Sequence, residues 1–151
     1  MIDVIIDTRE QLPYVFSDYI QFNTISKKLD TGDYSIVGLE DKFCLERKRS
    51  ITEFAGNITQ ARFADELRRM SKMAHPFILL EFSFGQIDRY PEGCGLSQKV
   101  KDKIKIRAPY ILKCMAQIQI QYGIHIIMCG CAAYGEVMGA SLIKRINEKY
   151  N

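Results

Sequence analysis

A chain of 151 residues, 47% of them hydrophobic and with no run of eighteen apolar residues, has the material for one globular domain with a full core and excludes a membrane-spanning helix. Five cysteines without a CxxC pair (Cys129-Gly130-Cys131 is too tight), beside only His75 and His125, argue against a zinc clip and read as reduced thiols of a cytosolic protein. The formal charge of +3 hides a polarity: residues 1–41 carry eight acids and three bases, a net of −5, and residues 42–151 ten acids and eighteen bases, a net of +8, as suits an acidic site facing a polyanion.

In chain order, Asp3-Val4-Ile5-Ile6-Asp7 is a short apolar run between acids, a buried strand whose ends reach solvent, and the chain opens on it rather than on a secretory leader. Gln11-Leu12-Pro13 breaks it. Phe22 to Ser26 alternates as a second strand, Thr31-Gly32-Asp33 turns, and Tyr34 to Val37 is a third. Gly38 to Asp41 turn again into a fourth strand, Lys42 to Lys48, hairpin-paired with the third. Ser50, with Glu53 three residues on, reads as a capping box opening a helix. Phe54, Ile58, Ala61, Ala64, Leu67 and Met70 give that helix one apolar face, with Arg62, Glu66 and Arg69 near another, until His75-Pro76 ends it. Phe77 to Phe82 is a continuous apolar run and reads as a central strand. Residues 83–96 read as loop, and Ser97 begins a basic stretch with Lys99, Lys101, Lys103, Lys105 and Arg107. Pro109 starts a helix at its first turn, ending at Gly123; Ile124 to Met128 is another buried strand, and Gly135 to Tyr150 a closing amphipathic helix. The order predicts an α/β domain with a central mixed β-sheet flanked by helices.

Chemistry concentrates at the hairpin. Side chains two apart on a strand share a face, so Glu46 and Lys48 lie together and Arg47 points the other way. Asp33, opening the neighbouring strand, can approach Glu46 closely enough to share a cation, and two like charges so placed need one. Glu40-Asp41-Lys42 repeats the acid-x-Lys spacing in a turn, where its charges are simply solvated. Asp7 and Glu10, at the end of the first strand, add an acidic edge if that strand neighbours the hairpin. The alternative is an acid–Lys48 salt bridge without metal.

Gly32-Asp33-Tyr34, Glu46-Arg47-Lys48 and the opening Asp7-Thr8-Arg9-Glu10 together resemble the nuclease domain of the XPF family of structure-selective DNA endonucleases, within the restriction-endonuclease-like PD-(D/E)XK superfamily. The stretch from Phe54 to Phe63, with Glu66-Leu67 after it, resembles bacterial and phage relatives, and Gln121-Tyr122-Gly123-Ile124 fits as well. The resemblance implies a restriction-endonuclease-like fold and one nuclease domain over 1–151, without the tandem helix-hairpin-helix module that often follows. It implies a metal-dependent endodeoxyribonuclease acting on branched or flap DNA in repair, recombination or phage DNA processing. Asp33 and Glu46 would hold Mg²⁺ or Mn²⁺, with Asp7 or Glu10 completing the shell. Lys48 and Arg47 would complete the catalytic set with them, Arg47 through a phosphate or structural contact rather than a chemical step. Arg9, Arg62, Lys99, Lys101, Lys103 and Lys105 would bind DNA. The family's acid three residues past the triplet falls on Thr52, so Glu53 takes that place only with an inserted residue; Glu66 is a further acidic candidate. The resemblance also implies a homodimer or heterodimer through the C-terminal helices, with Ile118, Tyr122, Met138, Leu142 and Ile146 divided between that surface and the core. The location would be the cytoplasm of a bacterium or phage-infected cell, or a eukaryotic nucleus. A non-catalytic DNA-binding or scaffolding subunit is the alternative, against which the intact Asp33, Glu46 and Lys48 argue.

Overall fold

In the computed structural model, which describes residues 1–151, six strands form one sheet in the order β2-β1-β3-β4-β5-β6. They are β1 (Ile2–Ile6), β2 (Phe22–Ser26), β3 (Tyr34–Ile36), β4 (Phe43–Lys48), β5 (His75–Leu80) and β6 (His125–Met128). β3 runs antiparallel to β1 and β4, while β1–β2, β4–β5 and β5–β6 are parallel, so the sheet is mixed. The helices are α1 (Ile51–Asn57), α2 (Ala61–Met70), α3 (Phe84–Arg89), α4 (Gln98–Lys103), α5 (Ala108–Tyr122) and α6 (Ala132–Tyr150). None is long and apolar enough to cross a membrane.

Strand alternation builds two cores, one on each face. Cys44, Ile78 and Leu80 point into a core closed by Phe54, Phe63, Leu67, Ile111 and Ile118 from α1, α2 and α5. Phe43, Leu45 and Leu79 point into the other, with Tyr14, Phe16, Tyr34 and Ile143. β4 lies between helical layers and is buried along all six residues, although three of them are charged. Its polar side chains therefore need partners within the protein.

Several expectations change. The helix predicted from Ser50 to His75 is two, broken at Ile58–Gln60. Ser50 does cap α1, accepting from the Glu53 N–H, but the Glu53 carboxylate accepts from the N–H of Arg49 rather than of Ser50. The predicted loop at 83–96 holds α3, whose Ser83 and Gln86 form a reciprocal capping box. His75 and Pro76 do not end a helix but belong to β5. β6 is not a buried strand: it closes one edge of the sheet, with His125 exposed and the next three residues half-buried. Of the residues divided between core and dimer surface, Ile118 and Ile146 are buried, Tyr122 and Leu142 pack against the cores, and Met138 stays partly exposed.

Candidate active site at the β3–β4 hairpin

The turn before β3 fixes the first acid. Gly32 has φ +82°, and a Cβ there would stand 2.8 Å from Cys44 Cβ and 3.2 Å from the Leu45 carbonyl, so only glycine fits. Asp33 is then tied on both sides: its N–H donates to Leu45 O and its carbonyl accepts from the Asp7 N–H, each at 2.8 Å. Tyr34 pairs with Leu45 in the antiparallel ladder, and one step further along that register sets Asp33 opposite Glu46. The Asp33 carboxylate accepts from the Arg47 N–H at 2.8 Å.

Glu46 and Lys48 share the α1–α2 side of the sheet, with Lys48 Nζ 3.1 Å from Glu46 Oε1 and both side chains nearly fully buried. Burial, then the neighbouring Asp33 charge, raises the Glu46 pKa well above the carboxylate range, and Lys48 offsets only part of this. Burial likewise raises Asp33, against the pull of the Arg47 N–H, with Glu10 adding to the rise. The pair therefore keeps a proton to higher pH than ordinary carboxylates do. For Lys48, burial works against the charge, but Glu46 and Glu66 outweigh it and hold the ammonium form. Its Nζ also sits 4.9 Å from the centre of the Phe63 ring.

Arg47 turns to the opposite face, as strand phase requires. Its guanidinium meets Glu81 through two bonds, Nε–Oε2 at 2.6 Å and Nη2–Oε1 at 3.0 Å, donates to the Leu12 carbonyl at 2.6 Å, and stacks 4.0 Å over Tyr14. The Tyr14 hydroxyl donates to the same Glu81 carboxylate. Arg47 is thus held by Glu81, Leu12 and Tyr14 on that face, while it also lines the hollow beside Asp33 and Glu46. Glu81 and Tyr14 were not among the residues singled out from sequence; Glu81 ends an apolar run, the one cue available.

Asp7 and Glu10 flank the central pair without joining it. Asp7 accepts from Arg9 Nε and from the Leu29 N–H, both at 2.8 Å. Burial disfavours its charge, yet these bonds outweigh it and hold its pKa low. Glu10 is taken by Arg49 and by Arg47, the latter at 3.5 Å. Three arginines thus hold the outer two carboxylates, and no three metal-binding side chains converge on one point.

Open hollows surround the pair. One of about 220 Å³ is lined by Arg9, Glu10, Arg49 and Glu53 beside Asp33 and Glu46; another adds Asp7, Glu66 and Arg69. A third joins Lys48 to Glu53, Asn57, Arg62 and Glu66. Glu53 and Glu66 thus both reach the site, and Arg9 and Arg62 stand at its rim. Arg49, Arg69 and Asn57 are additions; Arg69 carried a cue, three residues past Glu66 on one helix face. Asn57, which lines the same hollow as Lys48, has a buried Oδ1 without a hydrogen-bond partner. Lys99, Lys101, Lys103 and Lys105 line none of these hollows, and Lys101 is paired with Glu92 at 2.9 Å.

The donor set suits a small hard cation. All its ligating atoms are oxygens, and two carboxylates with open space beside them match Mg²⁺, which keeps several waters and takes its other ligands from substrate phosphate.

Comparison with known proteins is consistent with this geometry. Residues 6–134 match the family model described as the ERCC4 domain. None of the curated proteins matches by sequence. Among solved structures, XPF from Aeropyrum pernix superposes with a TM-score of 0.73 at 24% identity, over 96% of this chain and 65% of that one. The same protein in complex with DNA gives 0.70 at 23% identity, over 100% and 67%. The chain thus spans about two thirds of the length of these structures.

Proposed function

This chain belongs to the ERCC4 domain family, and on that premise we propose that it is a divalent-metal-dependent endonuclease of DNA, selective for branched or flap structures. The observation that carries the proposal is half-buried Asp33 set opposite buried Glu46, with Lys48 bonded to Glu46, so that one ammonium faces two carboxylates. Asp33 and Glu46 would hold Mg²⁺ or Mn²⁺; when bound, the cation makes water more acidic and polarises a phosphate oxygen. Lys48 supplies a fixed ammonium that stabilises charge developing on the phosphoryl oxygens, and its burial strengthens that effect. Glu46 aims it. Arg9, Arg62 and Arg69 at the rim take phosphates on either side of the cut, and such contacts position the strand without reading its sequence. Pairing with a second subunit would use the exposed part of α6, Tyr134, Val137 and Met138, rather than Ile118 or Ile146.

The test is incubation of the purified chain with labelled linear, flap, fork and splayed-arm DNA in Mg²⁺, Mn²⁺ or EDTA. Cutting is expected only with metal, faster on branched substrates, and absent in Asp33→Ala and Lys48→Ala. Cleavage that survives EDTA or either substitution overturns the proposal. Binding without cutting in any metal would favour a scaffolding subunit.

A further inference from the structure

Between α2 and α5 lies a hollow of about 160 Å³ that the proposed chemistry does not use. An apolar cavity of about 150 Å³ is enough to admit a single benzene-sized ring. Its floor is apolar, and no charged residue lines it, which excludes a phosphate or a metal ion as occupant. Three amides line it, Gln60, Gln117 and Gln121. Gln117 Nε2 donates to Gln121 Oε1 at 3.0 Å across one turn of α5. That bond leaves Gln117 Oε1 as an acceptor and Gln121 Nε2 as a donor on neighbouring side chains, the complement of an edge carrying one donor beside one acceptor. Tyr110, half-exposed at the rim, offers a ring face on which a flat group can stack.

Phe63 ties this hollow to the active site. Its ring lies under Lys48 and also lines the hollow, so one side chain forms a wall of both. Arg62, beside Phe63, stands at the charged rim. We infer that the α2–α5 hollow receives an unpaired nucleobase of the strand whose phosphate lies at Lys48, stacked on Tyr110 and bonded along its edge by Gln117 and Gln121. The inference rests on the nuclease reading and gives it a source of selectivity. A base inside a duplex is stacked and paired and cannot enter, whereas one at a flap, fork or gap enters without unpairing cost.

The test compares two flap substrates, identical except that one carries abasic sites along its unpaired strand. Affinity is measured in EDTA and cleavage in Mg²⁺, using the full chain, Tyr110→Ala and Gln121→Leu. Base stacking gives about 5- to 150-fold in affinity, so the unaltered chain is expected to bind and cut the intact flap about 10-fold better than the abasic one. Both variants should bring that ratio towards one while handling the abasic flap as the unaltered chain does. Gln121 is exposed on α5, so its variant keeps the test valid if loss of Tyr110 perturbs the helix. Equal handling of the two flaps by the unaltered chain overturns the pocket and leaves the nuclease standing. No binding or cutting of either flap overturns both. A variant whose changed ratio is matched by a changed oligomeric state on gel filtration also overturns it, because the hollow then belongs to a contact between copies.

Discussion

Asp33 and Glu46 set a pH dependence whose sign follows from their surroundings. Burial lifts both above their ordinary values, Asp33 to about 7, so between about pH 4 and pH 7 the native state binds more protons than the unfolded chain. Stability without metal should therefore fall as pH rises through that window. Asp7 acts oppositely. Its lowered pKa contributes stability above about pH 4 that is lost only at more acidic pH. Removing one charge of the pair, as in Asp33→Asn, should flatten the neutral limb and raise stability at pH 7.5 by on the order of 1–3 kcal/mol. If the pair holds Mg²⁺ as proposed, binding competes with protonation, and the cation should raise the melting temperature at pH 8 and hardly at pH 5. Thermal scans at both pH values check this, and an equal Mg²⁺ shift would place the cation elsewhere. On the other face of β4, Glu81→Ala strips the buried Arg47 of its bidentate carboxylate and leaves only Glu10, at 3.5 Å. That should cost about 3–5 kcal/mol in urea unfolding, with Glu81→Gln costing less because it keeps a hydrogen-bond acceptor.

At the scale of elements, α6 is seated by a glycine. A Cβ on Gly135 would lie 2.5 Å from the Tyr14 hydroxyl and 2.7 Å from Glu81 Oε2, the two groups that hold Arg47. Alanine in a helix interior gains about 1 kcal/mol over glycine, but forcing a methyl into that contact costs about 1–3 kcal/mol and disturbs the triad. The clash should win: Gly135→Ala should unfold at lower urea, with reduced cleavage. The hairpin was legible in the sequence because strand phase alone separates Glu46 and Lys48 from Arg47, and Gly32 marks the turn that brings Asp33 opposite. The α1–α2 break was not. Phe54, Ile58 and Ala61 keep helical spacing across it, and no proline interrupts them. Only the weak formers Gly56 and Asn57 hint at the turn where Thr59 Oγ1 bonds the Gly56 carbonyl. α3 was hidden differently: its capping box is plain in Ser83 and Gln86, but six residues containing Gly85 fall below what periodicity can resolve. The fate of Asp7 and Glu10 was beyond pattern altogether, since it depends on which arginines the fold brings alongside. The cues in chain order gave the two central acids and not their neighbours' partners.

Over the whole molecule, the site draws Asp7, Glu10 and Asp33 from the acidic N-terminal portion and Glu46, Lys48, Glu53 and Glu66 from the basic remainder. α4 divides its lysines by geometry, because residues two apart on a helix point in nearly opposite directions while residues four apart share a face. Lys99 and Lys103 therefore stand together and exposed. Lys101 turns inward to Glu92, its side chain 18% accessible. Ile104 and Ile106 pack against the core just beyond, which fixes the basic segment to the body of the domain. A lysine that neutralises a phosphate releases condensed counterions, and each such contact steepens the dependence of log K on log salt by about 0.9 on duplex DNA. If α4 lies along the backbone, Lys99→Ala with Lys103→Ala should weaken binding at low salt and flatten that slope by about 1–2. Lys101→Ala should change it little, because its charge is already spent on Glu92. Binding titrations of a duplex between 50 and 200 mM salt distinguish these outcomes. Equal flattening by Lys101→Ala would show that the Glu92 pair opens on binding. No change with the double variant would remove α4 from the DNA path and leave Arg9, Arg62 and Arg69, at the mouth of the site, to carry the phosphate contacts.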